Sequence, residues 1–279
     1  MAAVADISPE PRDRPTTAAA LDPRVLTVLI GAAFLNAEFG NIYDSVARWG
    51  WATALFAAFE ISGIVWIAVA ILLGRLARLP ALPLSAGDVV VFAAVAALVL
   101  YPVPQAAWAG LTLAGVWLLA RADRAPGLRR TASLVLALAF AGLWGRLIFR
   151  LFLDPILLVD TTLVAWAAGL PFNGNVIEAA DGKSVLKVLE GCSSFANLSL
   201  AVLGWVAART WFGASGWRRT LLFLPISMAA VMAINTTRIA LIALHPDQYG
   251  LLHGPVGTSV AGLATTIAIF AISIAGNRR

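Results

Sequence analysis

Charge is scarce in this sequence. Asp, Glu, Lys and Arg make up only 13% of its 279 residues, against 60% apolar residues, and the mean hydropathy is +0.86. A soluble domain is nearer one quarter charged, so the composition excludes an ordinary cytosolic enzyme and a disordered chain. Cysteine is scarcer still: Cys192 stands alone, which excludes an intrachain disulfide and with it a disulfide-rich secreted module. No basic cluster carries interleaved aromatics, so the net charge of +5 and the pI near 10.1 do not describe a nucleic-acid surface. No segment alternates in the manner of a barrel strand, and no internal repeat appears. No cofactor or metal is implied. What is present is a series of long apolar windows, which makes the expected class an all-α, polytopic transmembrane helical bundle whose main surroundings are the lipid bilayer.

The windows can be followed along the chain. Residues 1–23 are polar and Pro-rich (Pro9, Glu10, Pro11, Arg12, Asp13, Arg14, Pro15) and read as a disordered cytoplasmic tail rather than a signal peptide. Residues 24–279 then form a single integral membrane domain. Its apolar stretches are Val25–Tyr43, containing Glu38, and Ala52–Leu73, containing Glu60. Val89–Tyr101 and Ala106–Ala120 follow, separated by the turn Pro102-Val103-Pro104, and then Thr131–Leu153. The last four are Pro155–Leu170, Cys192–Ala208, Thr220–Ala243 and Val256–Gly276.

Charge sets the expected orientation. Fourteen of the 20 basic residues fall into five groups: Arg12, Arg14 and Arg24; Arg75 and Arg78; Arg121, Arg124, Arg129 and Arg130; Arg209, Arg218 and Arg219; Arg278 and Arg279. If all five are cytoplasmic, an even number of crossings separates neighbouring groups. Three apolar stretches lie between Arg130 and Arg209, so one of them does not cross. Pro155–Leu170 is short, carries Asp160 at its middle and is flanked by Arg150 and Asp154; it reads as a helix in the outer interface. Eight transmembrane helices remain, with both termini cytoplasmic, and residues 171–191 form an extracytoplasmic loop. That loop reads as a β-hairpin, Asn175–Ala179 and Ser184–Val188, around an Asp181-Gly182 turn.

This topology puts the rarest residue types on one face. Cys192 opens the helix after the hairpin, in Glu190-Gly191-Cys192-Ser193-Ser194. Arg238 lies near the outer end of the next helix in Asn235-Thr236-Thr237-Arg238. His245 and His253 lie in the loop before the last one. Such a set suits thiol attack on a carbonyl. A helix N-terminus, an imidazolium and a guanidinium each favour the thiolate. His253 is the candidate base and acid. Arg238 is the candidate partner of an oxyanion or a substrate carboxylate, and Asn235, one turn earlier on the same face, is placed to orient it.

Plainer roles stand beside these. A cysteine in an apolar helix is often a packing residue. His245 before Pro246 reads as solvated, and Glu190 as an acid at a helix N-terminus. Arg238 paired with Glu60 or Glu38 would make a structural pair or the charge site of a transporter or channel. A non-catalytic scaffold would need none of them.

The order Cys, Arg, His at the outer ends of successive helices resembles the exosortase/archaeosortase family. Members carry Glu-x-Cys-Ser-Gly after an extracytoplasmic loop, then Asn-x-x-Arg, then a His followed shortly by Gly. The counterparts here are Glu190-Gly-Cys192-Ser193-Ser194, Asn235-Thr-Thr-Arg238 and His253-Gly-Pro-Val-Gly257. Ser194 stands where the family usually has Gly. The similarity covers the chain from about Leu153 onward. It implies a membrane-embedded cysteine protease/transpeptidase of the cytoplasmic (inner) membrane, with its site at the extracytoplasmic face. The implied partners are exported proteins bearing a C-terminal motif, one transmembrane helix and a basic cluster. Cys192 would form a thioester acyl-enzyme, His253 would act as general acid/base and Arg238 would stabilise the intermediate.

Overall fold

A computed structural model describes residues 20–179, 184–213 and 216–278. The chain is mostly helical, and its polar contacts define two ends of a bundle. Helix α1 (Pro23–Ala37) starts at the first end. Asp22 caps it by accepting the Arg24 N–H at 2.8 Å, and Pro23 occupies its first turn. The preceding Ala20–Leu21 strand (β1) pairs with Leu82–Pro83 (β2), burying Leu21. Residues 20–23 are therefore ordered rather than part of a disordered tail; residues 1–19 lie outside the described residues.

At its far end α1 is tied by Asn36, whose amide donates to the carbonyls of Val99 (2.6 Å) and Tyr101 (3.0 Å). The chain then bends by 55° at Glu38 into α2 (Phe39–Phe56), which is itself interrupted at Gly50, φ 74°. Ala58, Phe59 and Glu60 follow with φ of 52°, 57° and 59°. Three left-handed residues in succession cannot continue a right-handed helix. A new helix, α3 (Gly63–Leu76), starts at the Ser62 cap. Two uninterrupted spans around Glu38 and Glu60 were expected from hydropathy; instead both acids stand at breaks, and α2 stays at the second end.

From there the runs alternate between the ends. Helix α3 returns to the first end, where the Arg75 guanidinium donates to the Thr210 carbonyl. Helix α4 (Ala86–Leu100) leaves from a capping box formed by Ser85 and Asp88, and α5 (Pro104–Ala120) returns after the Pro102 turn. Helices α6 (Leu128–Ala139) and α7 (Gly145–Leu151), joined by a π turn at Phe140–Trp144, make one continuous run outward.

Helix α8 (Leu153–Ala168) packs Leu157, Val164 and Ala165 in one cluster with Ile239, Ala240, Ile242 and Ala243, and leads into a three-stranded antiparallel sheet at the same end. The sheet is β3 (Phe172–Asn173), β4 (Val176–Glu178) and β5 (Ser184–Lys187), one strand more than the expected hairpin. Its Asp181-Gly182 turn lies outside the described residues. Helices α9 (Phe195–Phe212), α10 (Trp217–Leu244) and α12 (Pro255–Asn277) complete the bundle, with the short α11 (Tyr249–Leu252) before α12. Helix α9 is the shared neighbour, touching α3, α6, α10 and α12.

Among the described residues the longer helical runs are α1, α3, α4, α5, α6–α7, α9, α10 and α12. The basic groups collect at the first end. Besides the Arg75 contact, the Thr210 hydroxyl reaches the Arg130 carbonyl (3.5 Å), Arg209 reaches Thr220 (3.4 Å), and the Arg219 guanidinium donates to the Arg278 carbonyl. By length and composition three helical runs suit a membrane crossing: Leu128–Leu151, Trp217–Leu244 and Val256–Asn277. A fourth results if the bent pair α1 and α2 counts as one, and α3 and α4 are apolar but shorter. Large apolar side chains cover the outside: Phe56, Leu100, Leu151 and Trp166 are each at least 79% exposed. Surface of that kind fits lipid rather than water.

Candidate active site

Cys192 does not open a helix. It closes a short 3-10 turn, Glu190–Cys192, and α9 starts three residues later at Phe195. The direct help of a helix N-terminus to the thiol is therefore not available from its own position. The turn is instead held by hydrogen bonds on every side. The Cys192 N–H donates to the Leu189 carbonyl at 2.8 Å, and the Cys192 carbonyl accepts from the Asn235 amide at 2.8 Å. Asn235 thus secures the cysteine turn rather than orienting Arg238.

The following residues, Ser193 and Ser194, both donate their hydroxyls to Asp160 of α8, Ser193 at 2.5 Å, and the Ser194 N–H adds a third bond at 3.3 Å. Ser194 has φ −71° and ψ −18°, a conformation open to any residue, so the glycine usual in the resembling family is not required by the backbone here. The thiol itself is buried, in the apolar cluster that includes Ile239, Ala240 and Val188.

Arg238 and His253 come to the same end. Arg238 lies about 30 Å along α10 from Arg218. Its guanidinium donates to the Thr258 hydroxyl (3.3 Å), and that hydroxyl donates to the His253 carbonyl (3.2 Å). The Arg238 Nε is buried without a partner. His253 is exposed and stacks on Tyr249, ring centroids 4.7 Å apart and planes within 10°. Its turn depends on glycine: a Cβ at Gly257 would lie 2.1 Å from the Leu252 carbonyl oxygen, and one at Gly254 would lie 2.2 Å from that of Gly250. His245 caps the end of α10 and is exposed, as its place before Pro246 suggests.

The two acids of the early breaks converge on the other side of the turn. Glu38, Glu60, Arg146, Arg150 and Glu190 line a cavity of about 580 Å³ that reaches Gly191, next to Cys192. Within it Glu38 accepts from Asn41 at 2.5 Å, and Glu60 pairs with Arg48 (3.5 Å) and Trp49 (3.2 Å). Neither acid is paired with Arg238. A smaller cavity of about 340 Å³, lined by Phe152, Ile156, Leu198 and Met232, opens beside Asp160 and Ser194. Among the described residues no group of His, Cys, Asp and Glu has the arrangement of a metal site.

Comparisons with known protein families, with curated proteins and with solved structures return no match. The resemblance to the exosortase/archaeosortase family therefore rests on the residues quoted for it. The structure adds one residue that the sequence did not mark as part of the site: Asp160. It stands 33 residues before Ser193, and its only sequence signal was a charge within an apolar stretch.

Proposed function

We propose that this chain is a membrane-embedded cysteine peptidase/transpeptidase that cleaves C-terminal sorting signals of exported proteins. The observation that carries the reading is convergence. The Asn235 amide of α10 reaches the Cys192 carbonyl, and Arg238, one turn further along the same helix, is joined through the Thr258 hydroxyl to the His253 carbonyl, which supports a shared site for the three residues. In this reading all eight runs cross the inner membrane. The basic end is cytoplasmic, as are both termini, and the site faces outward. Helices α2 and α8 lie at the outer end. Substrates are exported proteins with a motif, one transmembrane helix and a basic tail.

The chemistry uses this chain's side chains alone. The Cys192 Sγ attacks the scissile carbonyl carbon while its proton passes to His253. Arg238, whose buried Nε has no other partner, meets the oxyanion. Collapse breaks the C–N bond, and His253 returns the proton to the leaving amine. The acyl group stays on Cys192 as a thioester until an amine or water attacks it and restores the thiol. The cavity lined by Glu190 and Gly191, next to Cys192, supports entry of the substrate chain from that side.

A transporter reading would need Arg238 and Glu60 in one charge site. Their separate partners, Thr258 and Arg48, favour the peptidase reading. The test is to co-express an exported protein that ends in a motif, a helix and a basic tail. Cys192→Ala and Cys192→Ser abolish its processing at unchanged levels of this chain. Full processing by Cys192→Ala contradicts the proposal and leaves the scaffold reading.

A further inference from the structure

Asp160 is a buried carboxylate that the chemistry above does not use. It is only 4% exposed, and both of its oxygens accept hydrogen bonds from the two residues that follow Cys192. The Ser193 hydroxyl that donates to it also accepts the Phe195 N–H at 3.2 Å, so the same bond fixes the first turn of α9. No Lys or Arg forms a salt bridge with Asp160 among the described residues.

A carboxylate held in the interior by neutral donors alone is an expensive way to pack a helix, because its desolvation is met by no opposite charge. Helix α8 already packs through Leu157, Val164 and Ala165, and an apolar residue at 160 would serve that purpose. Two separate acceptor oxygens, however, are what two serine hydroxyls and an N–H require. An amide of the same shape has only one.

We propose that Asp160 is a positioning residue for Cys192. Its carboxylate clamps Ser193 and Ser194 from α8 while Asn235 holds the Cys192 carbonyl from α10, and the two together fix the turn that presents the thiol. The clamp rests on reading Cys192 as the nucleophile, but its test reads the thiol directly.

Cys192 is the only cysteine, so a small maleimide applied to the full-length protein in detergent reports on it alone. Asp160→Asn keeps the shape and removes one acceptor. Freeing the turn of a buried thiol raises its alkylation rate, by about tenfold for the loss of such a clamp. The double variant Ser193→Ala/Ser194→Ala gives the same rise. Asp160→Asn added to that pair changes the rate by less than about twofold, because the partners it acts through are already gone. An unchanged rate in folded Asp160→Asn overturns the clamp. So does a full tenfold effect of Asp160→Asn on top of the serine pair, which marks a general loosening of α8. Should Asp160→Asn not fold, Ser193→Ala and Ser194→Ala alone decide: raised rates support the clamp, unchanged rates overturn it. The outcomes separate from those of the parent proposal. Raised alkylation together with processing by Cys192→Ala keeps the clamp and removes the peptidase.

Discussion

Two buried aspartates mark the two ends of the bundle, and they are satisfied in opposite ways. Asp88, fully buried at the basic end, faces cations. It is ion-paired with Arg121, lies 3.8 Å from Arg124, accepts the Trp117 indole N–H at 3.1 Å and closes its own capping box with Ser85. Asp160, at the other end, meets only hydroxyls and one N–H. The first arrangement ties the α4–α5 pair together and neutralises charge where basic residues crowd. The second keeps its partners on a single turn, the one that carries Cys192. The same residue type thus builds structure at one end and geometry at the other, and the difference lies in which donors the chain brings to it.

The sharpest way to break the comparison is at Asp88. Asp88→Ala leaves Arg121 and the Trp117 N–H without their shared partner, and it destabilises the protein by about 3 kcal/mol, read as a lowered midpoint in a thermal melt in detergent. Asp160→Ala costs less, about 2 kcal/mol, because only neutral donors are orphaned. Equal losses at the two positions would erase the distinction. Gly257→Ala drives a Cβ onto the Leu252 carbonyl and costs about 1–2 kcal/mol. It also displaces the His253 turn, so processing falls more than stability does. Ser194→Gly is the mildest: it removes one hydroxyl bond while the backbone N–H of residue 194 still reaches Asp160, at about 1 kcal/mol, and processing continues. Loss of processing in Ser194→Gly would mean that the backbone N–H and Ser193 do not hold the turn without the Ser194 hydroxyl.

The helical, apolar character of the chain was legible in the sequence, because long apolar windows set off by basic groups mark its helices. Parity singled out Pro155–Leu170, which forms α8, a helix packed on α10 that leads into the small sheet. The first two spans were misread, because hydropathy averages over Glu38 and Glu60 and carries no signal for three left-handed residues at 58–60. The start of α9 was placed too early for a related reason. Ser193 and Ser194 read as the opening of an apolar helix, whereas their hydroxyls are drawn to a carboxylate on another helix. That bond joins residues far apart in the chain, and a single sequence holds no trace of the pairing. Asn235 was noticed for the right spacing and given the wrong partner: i and i+3 on one face suggested Arg238, while packing of α10 against the turn supplied the Cys192 carbonyl.

The proposed orientation has its own check. In a Cys192→Ala background, a cysteine placed at Lys183 reacts with an impermeant reagent from outside intact cells, and one placed at Arg124 reacts only after permeabilisation. The reverse pattern would put the site in the cytoplasm.

The measurement that bears most directly on the central claim is the search for the acyl-enzyme. The protein is incubated with membranes containing an exported protein that ends in a motif, a helix and a basic tail, denatured in acid and analysed by mass spectrometry. The expected result is a peptide thioester on Cys192, released by hydroxylamine, absent from Cys192→Ala and strongly reduced in His253→Ala. Processing of the substrate with no adduct on Cys192, and at the same rate in Cys192→Ala, would contradict it.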